Sequence, residues 1–585
     1  MELAFIDWTL IIAFFVISLA IGLYSSKRAG QSVKEFFLSG GNMPWWLLGV
    51  SMVATTFSAD TPNLVTDIVR QNGVSGNWVW WAFLLTGMLT VFIYARLWRK
   101  SGVMTDLEFY EIRYGGKPAA FLRGFRAIYL GILFNVITMA TVTLAAIKIG
   151  GVLLGLEPWE TVIYGSIVTV IYSSLGGLRG VLLTDFLQFF IAMLGSIWAA
   201  KVSLNHPMVG GLANLLSHEN VAGKLAMVPD FSDASAWIPL LLIPLAVQWW
   251  ATWYPGAEPG GGGYIAQRML SARNEKHAVG ATLLFNAAHY ALRPWPWILV
   301  ALCSLVVFPT LESIQTAFPH MDASVIGHDL GYSAMLSFLP AGVLGLVIAS
   351  LIAAYMSTIS TQLNWGSSYV VHDFYHRFVD KNASEKRLVL IGRLSTVTLM
   401  VLSGLLALTL QNALQAFDIL LQIGAGTGLI FILRWFWSRI NAYSEISAMI
   451  ISFAVALYFA YLHDYFGFAP MASHMKLITG VGITTVAWIL TTYLTPREKE
   501  KTLKTFYDRA NPGGPGWKSI AGDKALINWQ VPMGIAAMIV GCITVYSALF
   551  STGYWIYGKV LPAAILSFVG FGGVFILFKL WNKMK

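Results

Sequence analysis

The chain has 585 residues, of which 57% are hydrophobic and only 11% charged. Soluble domains carry about 25% charged residues, so a soluble globular class is excluded. The net charge of +9 reads as loop charge on a membrane protein rather than as a nucleic-acid footprint.

Apolar windows of the length that crosses a bilayer recur along the chain and predict an all-α polytopic membrane protein with about fifteen transmembrane helices. The first window, 6–25, has no basic stretch ahead of it and no small-residue cleavage site behind it. It is predicted to be a retained helix rather than a signal peptide. The second, 44–70, carries Asp60 directly before Thr61 and Pro62. Proline removes a backbone donor and disfavours helix just before it. A carboxylate inside the bilayer costs about 2.5–3.5 kcal/mol, so the window is predicted to break around Asp60 and to face a cavity. The plainer alternative is a proline kink with Asp60 reaching a water-filled vestibule.

Windows 76–97, 124–150, 157–175 and 180–202 follow. The last begins in GGLRGVLLTDFLQ and places Asp185 about one turn inside; on its residues alone this is an interfacial carboxylate beside Arg179. Window 236–268 is interrupted by WYPGAEPGGGGY, which holds Glu258 and cannot continue a helix. Such backbone is tolerated at membrane depth only where protein buries it or a cavity borders it. Trp249, Trp250, Trp253 and Tyr254 before it read as packing or interfacial anchors, with stacking on a sugar face as the alternative. Window 277–308 contains Arg293 in ALRPWPWIL, for which Glu258 is the expected partner and a solute carboxylate the alternative.

Window 337–371 ends in YMSTISTQLNWGSS. Ala354, Ser357, Thr358 and Thr361 share one helix face, with Ser360 beside it. A single hydroxyl in a membrane helix usually bonds back to the preceding turn. A cluster facing a broken helix offers oxygen ligands suited to a hard cation such as sodium. Windows 388–410, 414–436, 441–463 and 475–495 come next, then a Lys-, Pro- and Gly-rich loop and a hairpin of 529–550 and 557–580. Cys303 and Cys542 both fall in apolar windows and offer neither a disulfide framework nor a metal site.

Lysines and arginines alternate from loop to loop, which predicts the N-terminus outside and the C-terminus cytoplasmic. The two breaks lie five windows apart, the pattern of two inverted five-helix repeats with a solute site near the midplane. The expected division is an N-terminal helix and linker (1–43), a first repeat (44–235), a second repeat (236–440), further helices (441–495), a cytoplasmic loop (496–528) and the hairpin (529–585).

SMVATTFSADT, GGLRGVLLTDFLQ, YIAQRML, AAYMSTISTQL and GLIFILRWFWSRINAYSEISAMI together resemble the sodium:solute symporter family, over about residues 1–495. That resemblance implies the LeuT-type fold and sodium as the coupling ion. It places one sodium site at Ser58, Thr61, Ala354, Ser357 and Thr358. A second falls at Asp185, Ser357, Ser360 and Thr361, which suggests two ions per cycle. Asp60 matches an aspartate of proline-transporting members, Gln422 a glutamine of sugar-transporting members, and Tyr264 an aromatic inner gate. With Glu258 and Arg293 these form the expected solute-binding set. The segment PGAEPGGGG is longer and richer in glycine than the family pattern.

The expected function is sodium-coupled uptake of a small organic solute, sugar-like ahead of amino acid or carboxylate, by alternating access across the plasma membrane. Neither nucleic acid nor an obligate protein partner is expected. A sodium-dependent sensor is disfavoured because no soluble domain follows Lys585. A channel is disfavoured because the polar residues gather at one depth. An enzyme is disfavoured because the chain has no nucleophile–base motif or metal-ligand spacing.

Overall fold

The computed structural model describes residues 3–251, 258–319, 321, 326–410, 424–527 and 529–583. Gln422, Trp253 and Tyr254 lie outside the described residues. Among the described residues the fold is all-helical, with twelve helices long and apolar enough to span a membrane. The extended pairing described is an isolated bridge between Met43 and Ala272.

In chain order the helices that matter are α1 (Phe5–Ala29), α2 (Trp45–Thr55), α3 (Asp60–Asn72), α4 (Val74–Ser101), α5 (Gly116–Leu154), α6 (Pro158–Leu204), α7 (Ala234–Ala251), α8 (Gly263–Ser271), α9 (Glu275–Val307) and α10 (Val343–Val379). They are followed by α11 (Glu385–Ala407), α12 (Ala442–Leu462), α13 (Ser473–Leu494), α14 (Val531–Ile556) and α15 (Val560–Lys583).

The window 44–70 is two helices, separated by Thr56–Ala59. The break is local to Ser58, whose φ of +33° lies in the left-handed region that a side chain resists. Pro62 falls in the first turn of α3, where a missing N–H leaves no helical bond unmade. In α6, Gly177 (φ +54°, ψ −162°) interrupts the helix between the two apolar windows expected there. A Cβ at that point would meet the Phe36 carbonyl at 2.7 Å, so the corner admits only glycine.

Helix α10 is the buried axis of the molecule: every residue from Ala353 to Tyr369 is buried. It packs on α1, α2, α5, α6, α8 and α11. Small residues allow the approach, as at Gly345, where a Cβ would come within 2.8 Å of the Asp7 side chain. Asp7 in turn accepts hydrogen bonds from the backbone N–H of Gly342 and Gly345, both at 2.7 Å, at the start of α10. Helix α14 lies along α4, with the Tyr546 hydroxyl donating to the Trp81 carbonyl at 2.8 Å. Helix α15 covers α14 and leaves Phe568, Phe571 and Phe578 exposed to lipid.

Candidate functional site: the break in α2–α3 against α10

The hydroxyls of α10 face two different neighbourhoods, because successive residues on a helix point about 100° apart. On one side, Thr358 Oγ1 donates to the Thr55 carbonyl at 2.7 Å, at the end of α2, and lies 3.1 Å from the Ala354 carbonyl. The Ser58 hydroxyl, in the break itself, is buried without a hydrogen-bond partner. Carbonyls freed by a broken helix, a helix hydroxyl and an orphaned hydroxyl make an all-oxygen, uncharged cradle, and these residues fit a sodium ion. The expected member Thr61 turns instead toward the Thr56 carbonyl at 3.5 Å. The carbonyl that meets Thr358 belongs to Thr55, which the sequence reading did not name.

On the other side, Ser357 Oγ donates to Asp185 Oδ1 at 2.7 Å, and Ser51 Oγ, from α2, donates to Oδ2 at 2.5 Å. Arg268, from α8, enters the same pocket. Its Nη2 lies 3.7 Å from Asp185 Oδ2 and donates to Thr361 Oγ1 at 2.7 Å. Thr361 Oγ1 also bonds Thr55 Oγ1 at 2.9 Å, and Ser360 Oγ turns back to the Ser357 carbonyl at 3.1 Å. Asp185 and Arg268 are both fully buried. The counter-charge of Asp185 is therefore Arg268 and not Arg179, and the residues do not fit a second sodium ion. Two unit positive charges about 4 Å apart repel by about 4 kcal/mol at an effective dielectric of about 20.

Above the break lies a cavity of about 490 Å³. Thr55, Thr56, Ser58, Asp60, Tyr264 and Arg293 line it, as do Asp67, Lys148 and Asp329. Several lining atoms are buried with no partner: Asp60 Oδ1, both side-chain atoms of Asn63, Asn286 Oδ1 and Gln362 Oε1. Buried polar groups are nearly always paired, so such a cluster calls for partners from within the cavity, whether solute or ordered water. Asn63, Asn286 and Gln362 were not singled out by the sequence reading, since single amides carry no spacing signal.

Helix α9 brings Asn286, His289, Tyr290 and Arg293 to the cavity through a widened turn, in which the Arg293 N–H bonds the Ala288 carbonyl five residues back, at 3.3 Å. Such turns cluster at functional sites. The expected pair of Arg293 with Glu258 is not formed. The Arg293 guanidinium instead donates to the Thr56 carbonyl in the break, and to His289 Nε2 at 2.9 Å. His289 Nδ1 bonds Thr56 Oγ1 at 2.9 Å, so both side chains clamp the broken end of α2. Glu258 pairs with Arg434 at 3.1 Å.

Glu258, which also lines the cavity, and Arg434 belong to a buried network. Arg434 also lies 3.6 Å from Glu445 and stacks over Phe109 and Phe431, and the Tyr114 hydroxyl donates to Glu445 at 2.6 Å. Beside it, Arg123 joins Asp373 (2.7 Å) to Glu111 (2.6 Å), and Arg377 adds a second bond to Glu111 at 2.8 Å. Burial raises the Glu111 carboxyl, but the bonds from Arg377 and Arg123 outweigh it and hold the group below its ordinary value of 4.5. Arg123, Arg268 and Arg434 had counted as loop charges in the sequence reading; in the structure they are buried.

The model of the family described as "Sodium:solute symporter family" matches residues 36–452. The chain therefore belongs to the sodium:solute symporter family, and it is a sodium-coupled symporter that passes through the membrane several times. Among relatives, it is 24% identical to a sodium/glucose cotransporter of Vibrio parahaemolyticus, over 82% of this chain and 90% of that one. It is 27% identical to sodium/myo-inositol cotransporter 2 of Oryctolagus cuniculus, over 74% of this chain and 67% of that one. Its fold is similar to that of a Na+-coupled sialic acid symporter in a substrate-bound outward-open state, with a TM-score of 0.67 at 21% identity over 85% of this chain and 100% of that one.

Proposed function

We propose that the protein takes up a small polyhydroxylated solute together with sodium, by alternating access, and that the solute occupies the cavity bordered by Asp60, Asn63 and Asn286. The observation that carries this reading is the set of buried polar atoms left unpaired around that cavity. Most are acceptor oxygens, so the fitting solute brings hydroxyl donors. Trp80, Tyr264 and Tyr290 add aromatic faces against which the apolar side of a sugar or polyol ring packs. Several relatives are cotransporters of glucose, mannose or myo-inositol by name, which supports the same class. A solute carboxylate fits less well, because the Arg293 guanidinium is already spent on Thr56 and His289.

The coupling ion is held, in this reading, by the Thr55 and Ala354 carbonyls with Ser58 and Thr358. Ser58 and Asp60 flank Ala59, so the ion orders the same short break that presents Asp60 to the solute. Each ligand then raises the affinity of the other, as linkage requires. One positive charge carried inward gains about 2.3 kcal/mol per 100 mV, roughly a fiftyfold accumulation, before any sodium gradient is counted.

The finer architecture belongs to the same proposal. Counting the α2–α3 pair as one span, α6 as two and the expected window 414–436, which lies partly outside the described residues, as one gives the expected fifteen or so crossings, with inverted repeats at 44–235 and 236–440. The N-terminus lies outside and the C-terminus in the cytoplasm. The Glu258–Arg434–Glu445 network is then an inner seal, and the Lys148–Asp329 rim faces outward. Uptake of radiolabelled hexoses, inositols, amino acids and carboxylates into proteoliposomes, under sodium and under potassium gradients, tests the reading. Saturable, sodium-dependent uptake of a hexose or inositol is expected. Selective uptake of a carboxylate would overturn the solute class, and uptake indifferent to sodium would overturn the coupling.

A further inference from the structure

The sodium-symporter reading leaves Arg268 unassigned, although it is a fully buried cation next to the site. Its guanidinium makes four hydrogen bonds, to residues of α2, α10 and its own helix α8. Nε and Nη2 both lie 3.3 Å from Ser51 Oγ on α2, Nη2 donates to Thr361 on α10, and Nη1 donates to Gln267 Oε1 at 2.9 Å. Gln267 is itself tied by Nε2 to Asn364 Oδ1 at 2.9 Å and to the Phe37 carbonyl at 3.1 Å. The guanidinium thus has one fixed orientation, beside the Asp185 carboxylate of α6.

We propose that Arg268 supplies, as a permanent side-chain cation, the positive charge at Asp185 that a second sodium ion would otherwise bring, so that each chain binds one sodium ion. Three features carry this. The carboxylate is neutralised in place, leaving no net negative charge to attract an ion into a dry pocket. Both of its oxygens are hydrogen-bonded, by Ser357 and Ser51, and Thr361, an expected ligand, accepts from the guanidinium. Ser360, the remaining expected ligand, is turned to a backbone carbonyl. By contrast Thr55 and Thr358 border the cavity beside the orphaned Ser58 hydroxyl, and the guanidinium that lines it with them, Arg293, donates to the Thr56 carbonyl and not to these oxygens.

A fixed cation also does what a mobile one cannot. Arg268 lies one helical turn after Tyr264 on α8, and Tyr264 forms part of the cavity wall. Its bonds to Ser51 and Thr361 bind that wall to α2 and α10 whether or not sodium is present. The pocket at Asp185 then works as a permanent joint, and only the Thr358 side responds to the ion.

The inference rests on the one-site reading given above, and the binding of 22Na+ to the purified full-length protein in nanodiscs separates the two. One ion per chain on a single-site isotherm is expected. Two ions per chain would overturn the proposal, whereas no saturable binding would instead remove the Thr358 site on which it rests. Thr358→Ala is expected to weaken 22Na+ binding about tenfold or more. The charge-neutral double variant Asp185→Asn with Arg268→Gln is expected to keep one ion, with an affinity within about threefold of the parent. Loss of the ion in a folded double variant would place it at Asp185 and overturn the proposal. Should that variant fail to fold, the ion count of the unmodified protein decides alone.

Discussion

Ser357 and Thr358 are neighbours on one helix, yet they open onto regions of opposite character. Around Ser357 the side chains of Asp185, Arg268, Ser51, Thr361 and Gln267 bond to one another out of reach of solvent, and Gln188, three residues after Asp185 on α6, is the buried amide there left without a partner. Around Thr358 the hydroxyl meets freed carbonyls, and just beyond it Ser58, Asp60, Asn63 and Asn286 hold polar atoms with nothing to bond. A saturated pocket stores rigidity, and an unsaturated one awaits a ligand. The difference separates a joint from a site within one helical turn.

The contrast is broken most severely by removing one half of the saturated pair. Arg268→Ala leaves Asp185 buried and unpaired and should cost about 3–5 kcal/mol, read as a large drop in thermal stability. Adding Asp185→Asn should restore most of it, since the stranded charge disappears. An Arg268→Ala protein as stable as its parent would show the pair to be idle.

On the unsaturated side the losses should appear in function rather than in folding. Thr358→Ala should raise the sodium concentration for half-maximal uptake about tenfold or more, with protein abundance little changed. Equal loss of both would assign Thr358 to packing. Asp60→Asn should weaken the solute by about 1.5–3 kcal/mol, the worth of a hydrogen bond to a charged group. Its Oδ1 has no protein partner to lose, so melting with sodium alone should move little.

The smallest expected effect is on pH. The Glu111 carboxyl is held below its ordinary value by Arg377 and Arg123, against its burial. A depressed carboxyl stabilises the fold above the unfolded value and loses that contribution as pH falls through the folded one. Stability should therefore drop more on acidification below about pH 4 in the parent than in Glu111→Gln. Parallel acid profiles would mean that the Glu111 ion pairs carry no weight.

Some of this was legible without coordinates. Asp60 before Thr-Pro announced the first break, and the spacing of Ala354 and Thr358 placed them on one face, because helix period and proline geometry are local properties; Ser357, expected on that face too, turns to Asp185 instead. The partner of a buried charge is not local. Arg268 and Arg434 stand in basic stretches that look like cytoplasmic loops, and nothing in their neighbours reveals that one turns inward to Asp185 and the other to Glu258. Arg293 was legible as an intramembrane cation, but its choice of a backbone carbonyl over Glu258 depended on where the break in α2 fell.

The sequence by itself determined that this is a helical membrane carrier with an interrupted second window and a hydroxyl-rich central helix, because hydrophobic length and residue spacing act along the chain. Only the tertiary structure decided which hydroxyls stay available and which are consumed. That outcome depends on side chains arriving from α2, α6, α8 and α9, brought together by packing between segments up to about three hundred residues apart, a scale on which no local pattern acts.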